Sequence, residues 1–186
     1  MSDDVPSRRP LRAATGQFPD RRPPDERTVL TDFLEYYRSV LIRKIEGLDA
    51  ASLRMTTSAS NLTLGGLAKH SAFFEYVWFR QVLLGEDLPE PFRSAPWNDD
   101  PDWELTSAAD DSPDDLVALF DRAIAASRAA VDSCVSLDQV AAGPPGSDPS
   151  RRVNLRWILV HMIEEYARHA GHADLLRESI DGVVDD

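Results

Sequence analysis

Four stretches of this chain place apolar side chains at intervals of three and four residues, and almost none alternates them. That pattern commits the sequence to amphipathic helices packed against one another. The first covers residues 26–48, with Leu30, Leu34, Tyr37, Leu41 and Ile45 on one face. The second runs over residues 63–84, from an N-cap at Thr63 to a stop at Gly85, and its inward face is read as Leu67, His70, Phe74, Val77, Trp78, Gln81 and Leu84. A third opens at Ser112-Pro113-Asp114-Asp115, a capping serine, a proline at the first helical position and acids at the positive end of the helix dipole. Its stripe is Leu116, Phe120, Ala123, Ser127, Ala130 and Cys134, and a fourth helix is expected from near Val153 to about Ser179. Residues 86–111, rich in Pro, Asp and Trp, are too long for a tight turn and predict a crossover. The expected fold is an all-α four-helix bundle with its long connection between helices two and three. The bundle is expected over residues 26–180, after an extended arm at 1–25 and before an acidic tail at 181–186.

Composition narrows the function. A hydrophobic fraction of 42% over 186 residues supports a core and excludes a disordered chain. The excess of 32 acidic over 20 basic residues, with arginines dispersed, excludes a basic groove for nucleic acid. A lone cysteine, Cys134, excludes a disulfide framework and a cysteine-built metal centre; it reads as a small buried apolar residue and points to a reducing compartment. No apolar run nears the ~20 residues of a membrane span, and the N-terminus lacks a signal peptide. A cytoplasmic protein with neither membrane nor nucleic-acid partner is therefore expected.

The fourth helix carries the chemistry. Leu155, Ile158, Met162, Glu165, His169, Ala173 and Leu176 share one stripe, apolar except at its middle. A carboxylate buried there without a partner costs several kcal/mol, and a divalent cation held from adjacent turns compensates both polar groups. Glu165 and His169 are thus candidate ligands, and His70, mid-way along the inward face of the second helix, is the third. Two imidazoles and a carboxylate leave open positions, as at catalytic centres, and suit Zn²⁺, Ni²⁺, Fe²⁺ or Mn²⁺. His161 and His172 flank the stripe, and either could replace a ligand. They are assigned supporting roles, His172 as the candidate for catalytic proton transfer and Asp174 at the exposed edge. The competing structural account pairs Glu165 with Arg168 and leaves the histidines as ordinary core or surface residues.

The segments Leu64-Gly65-Gly66-Leu67-Ala68-Lys69-His70 and Glu75-Tyr76-Val77-Trp78-Phe79, with the run from Arg156 to Asp174 holding His161, Glu164, Glu165, His169 and His172, resemble the DinB-like superfamily over residues 27–180. More narrowly they are similar to an actinobacterial branch of it. The resemblance implies a four-helix bundle with a metal held by one side chain of the second helix and two of the last, here His70, Glu165 and His169. Many relatives have histidine in place of Glu165 and glutamine in place of His172. The glutamate version is similar to the mycothiol-dependent maleylpyruvate isomerases, which implies zinc and mycothiol as a cosubstrate, and relatives of this bundle form homodimers. What the resemblance implies is a metal-dependent enzyme that activates a low-molecular-weight thiol for transfer or isomerisation of a small-molecule substrate. Two other functions fit the residues: a metal-dependent hydrolase, and a non-catalytic metal-binding stress-response protein. Tyr37, Trp78 and Gln81 are candidates for the pocket wall.

Overall fold

The computed structural model describes residues 18–22, 25–57, 59–143 and 151–184. Residues 1–17, 23 and 24 of the expected arm, and 185–186 of the expected tail, lie outside them. The chain is all-α, with no strand among the described residues. Its long helices are α1 (Glu26–Ile45), α3 (Leu64–Glu75) continuing into a π-helical stretch (Tyr76–Leu83), α5 (Pro113–Ser133) and α6 (Leu155–Asp181). Single turns α2 (Ala50–Leu53) and α4 (Trp103–Thr106) sit in the connections, and a 3-10 turn (Ser107–Asp110) follows α4. No described helix is long and apolar enough to cross a membrane.

Capping chemistry sets the helix starts. Thr63 accepts from the Gly66 amide and Ser112 from that of Asp115, at the two boundaries expected from the sequence. The last helix begins two residues after Val153, because Asn154 accepts from the Trp157 amide. Gly85 takes φ +72° behind the π-helical stretch, a conformation open to glycine. At Gly66 a Cβ would stand 3.2 Å from the Leu105 carbonyl oxygen, so the missing side chain lets the crossover lie against the start of α3.

Two parallel pairs form the bundle. In the α1/α6 pair, Arg156 reaches Glu26 at one end and Arg177 donates to the Lys44 carbonyl at the other. In the α3/α5 pair, Gly65 backs onto Leu116 and Ser127 donates to the Glu75 carbonyl. The pairs run antiparallel to each other: His70 meets His169, and Trp78 meets Trp157. Because α3 and α5 point the same way, the connection between them must return along the whole bundle, roughly 30 Å for a 20-residue span. That requirement explains its length.

The second helix differs from expectation in which face it buries. Of that face Leu67 and Trp78 are buried as expected, but Gln81 is exposed and His70, Phe74, Val77 and Leu84 are half-buried, and the rest of the core is filled from Ala68, Ala72, Glu75, Phe79 and Val82. The true core face includes Lys69, Ser71 and Glu75, all buried. Apolar periodicity under-weights such a face and favours the neighbouring one, which leans toward α6.

Candidate metal centre

His70 on α3 faces Glu165 and His169 on α6, and one ligand atom from each lies within 4.8 Å of the other two. His169 Nε2 is 3.4 Å from Glu165 Oε2, and the two imidazole rings are 4.9 Å apart at 72°. Phe74, Met162, Tyr166 and Ser71 complete a pocket of ≈ 10 Å³ around them, the size of one water or one ion. The two α6 residues are one turn apart on a stripe otherwise filled by Leu155, Ile158, Met162, Ala173 and Leu176, and this apolar packing turns them toward α3.

Behind His70 stands Glu104 of α4. Its Oε1 is 3.0 Å from His70 Nδ1, and its Oε2 is buried without a hydrogen-bond partner among the described residues. A carboxylate on Nδ1 fixes the proton there and leaves Nε2 as the donor for a metal, the arrangement that orients metal-binding histidines. Burial, then the neighbouring His70, His172 and Arg168, push the His169 imidazole down to about 4, so it is neutral and a free donor at neutral pH. The donor set therefore fits a divalent cation of the Zn²⁺ type.

A family model described as Mycothiol-S-transferase matches residues 29–182. The chain belongs to the mycothiol S-transferase family. No curated protein matches it.

Other residues singled out by sequence take the following places in this family member. His161 lies off the three-residue group, stacked on Trp157 at 5.0 Å and edge-on to Trp78 at 4.5 Å. His172 sits behind His169, with the two Nδ1 atoms 3.4 Å apart. Asp174 is not at the edge of the pocket; it pairs with Lys44 of α1 at 2.8 Å, at the far end of the α1/α6 seam. Tyr37, Trp78 and Gln81 do not line the small pocket. Arg168 does approach Glu165, at 3.4 Å, but its closer partner is Glu164.

Two acids escaped the sequence reading. Glu104 gave no signal, since it lies in a crossover without period, one of many acids there. Glu75 lay within a quoted motif, and yet it is the fully buried carboxylate of the core. Arg38 donates to it through Nε and Nη2 at 2.7 and 2.6 Å, and the Tyr166 hydroxyl donates to its Oε1 at 2.6 Å. Burial works against the Arg38 charge, but Glu75 raises its pKa and holds it protonated. Burial and the same carboxylate push the Tyr166 phenol well up, so it stays a donor. Arg38 also donates to Glu35, which Arg128 of α5 grips in turn. The network ties all four long helices, and Tyr166 adjoins Glu165 in sequence, so it fixes the rotation that presents Glu165 and His169 to His70.

Proposed function

We propose that this chain is a metal-dependent thiol transferase in the cytoplasm, holding one Zn²⁺-type ion with His70, Glu165 and His169 and using mycothiol or a similar low-molecular-weight thiol. The observation that carries it is the three-residue group itself, with Glu104 at the back of His70, in a member of the mycothiol S-transferase family. The ion, when bound, favours thiolate over thiol and so supplies a nucleophile at neutral pH.

The chain's own residues prepare that step. Glu104, 3.0 Å from His70 Nδ1, would hold a proton there, and a proton on His169 Nδ1, 3.4 Å from His172 Nδ1, would keep His169 Nε2 open on the Glu165 side. His172, next to His169, is the residue proposed to take up and return the proton. Three protein donors leave a position for sulfur, and Phe74 and Met162 limit the entry of water. In this reading the thiol proton passes to His172, the sulfur bonds to the electrophilic carbon, and the leaving group departs with the electron pair of the bond that breaks and takes up that proton.

With Co²⁺ in place of the native ion, added mycothiol or cysteine should produce an intense sulfur-to-metal charge-transfer band that strengthens as pH rises toward the free thiol pKa, ~8.5 for cysteine. A metal-loaded protein that gives no band with any thiol would leave a hydrolase as the better account.

A further inference from the structure

A cavity of ≈ 390 Å³ opens between α1 and α5, with no residue in common with the metal pocket and of a size that takes a small molecule. Leu34 of α1, Val131 of α5 and Leu159 of α6, all buried, give it an apolar floor, with the buried Arg38 beside them. We propose that this cavity binds a small zwitterion, a free α-amino acid with an apolar side chain. The site is independent of the ion proposed above.

Charge decides the ligand class. Arg38 is fully engaged within the protein, since Glu75 accepts from its Nε and Nη2 and Glu35 from its Nη1. With Arg38 balanced by Glu75, the cavity wall sets Arg27 and Arg128 against Glu35 and Asp132. These charges cancel, so the wall matches a molecule with one charge of each sign. A phosphate would have to draw an arginine away from its present partner.

Donors and acceptors for the two ends are on opposite sides of that balance. Arg128 donates to Glu35 through Nε and Nη2, which leaves Nη1 without a partner among the described residues. Arg27 gives Nη1 and Nη2 to the Cys134 and Val131 carbonyls, which leaves its Nε. Those N–H groups suit a carboxylate. Asp132 has no hydrogen bond or ion pair among the described residues and is an acceptor for an ammonium group. The hydroxyls of Thr28 and Thr31 donate to Asp25 and to the Arg27 carbonyl, so they too can offer a ligand only lone pairs. Arg128 and Asp132 are one turn apart on α5, where side chains are neighbours at about 5–6 Å. An α-amino acid carries its carboxylate and its ammonium on a single carbon, which fits that spacing. Its side chain would then cover Leu34, Val131 and Leu159, which glycine would leave bare.

The test is NMR titration of the ¹⁵N-labelled full chain, as purified, with L-leucine, glycine, 4-methylpentanoate, 3-methylbutylamine and inorganic phosphate. Leucine should bind, moving the amide signals of Thr31, Leu34 and Val131 and not those of His70 and His169. Glycine lacks the apolar chain and the two analogues each lack one charge, so all three should bind several-fold more weakly, and phosphate should not compete. Asp132→Asn should weaken leucine by up to about fivefold, because that carboxylate is exposed, and should leave 4-methylpentanoate unchanged. Arg128→Gln should weaken both. Helical content measured alongside shows that each variant is folded, and the exposed Asp132→Asn suffices if Arg128→Gln is not. No binding of leucine overturns the proposal, as do shifts at His70 and His169 in place of those on α1 and α5. Equal affinity for 4-methylpentanoate, or leucine binding indifferent to Asp132→Asn, overturns the zwitterion; phosphate that displaces leucine makes the cavity an anion site instead.

Discussion

Glu75 and Glu165 are both carboxylates on core-facing helices, and only one is where the hydrophobic pattern points. Glu75 is fully buried and balanced by Arg38 and Tyr166, whereas Glu165 is half-buried at the rim of a pocket. Removing one partner of a buried ion pair leaves the other uncompensated, so Glu75→Ala should cost about 3–5 kcal/mol in urea unfolding. Glu75→Leu combined with Arg38→Met should recover most of that loss, since neither charge then remains buried. His169 gives a pH dependence whose sign is set by its neutral state. An unfolded imidazole takes a proton near 6.5 and the folded one resists until about 4, so in that window the unfolded chain binds more protons. The metal-free protein should therefore lose stability as pH falls from about 6.5 to about 4, and His169→Gln should flatten the slope of its urea midpoint against pH. At this scale Glu165 and His169 were legible as candidates because polar residues interrupt an apolar stripe, and His70 because no other histidine lies outside the last helix; the fold brings the three together. The sequence concealed Glu75 and Glu104 because an acid announces burial only through partners distant along the chain.

Helix starts were legible from capping residues alone: Thr63 and Ser112 carry their signal locally, in an oxygen placed before a run of free amides. The crossover was legible as a length and not as a structure. Its single turn α4 has no period to detect, and it is held by contacts made elsewhere, with Trp103 over Lys69 and Glu104 on His70. That element acts on the site through one carboxylate. Glu104→Gln should weaken metal binding by about 10–100-fold, read by chelator competition, while the helical content stays unchanged. An affinity equal to wild type would mean that His70 is oriented by packing against Phe74 alone. The π-helical stretch after Glu75 was not foreseen either, since the same apolar residues satisfy an α period.

For the whole molecule, the bundle class followed from four amphipathic stretches and one long connection, while the pairing of α1 with α6 and of α3 with α5 depends on contacts such as Arg156 to Glu26 that no local pattern encodes. The proposed ligands come from α3 and α6 alone, so deletion of residues 1–17 should leave metal content and thermal midpoint near those of the full chain. A folded but metal-free truncation would place the arm at the centre. Phe18, packed on Phe33 and Tyr36 of α1, is the natural limit for that cut. The network through Arg38, Glu75 and Tyr166 has a different kind of consequence. It locks helix rotation with side chains that are not the proposed ligands, so alignment and reactivity are under separate genetic control. Descendants of such a chain can exchange a ligand, as Glu165 for histidine, or rebuild the pocket rim, and still inherit the alignment that makes the exchange useful. Innovation at the centre is then a matter of single codons rather than of a new fold.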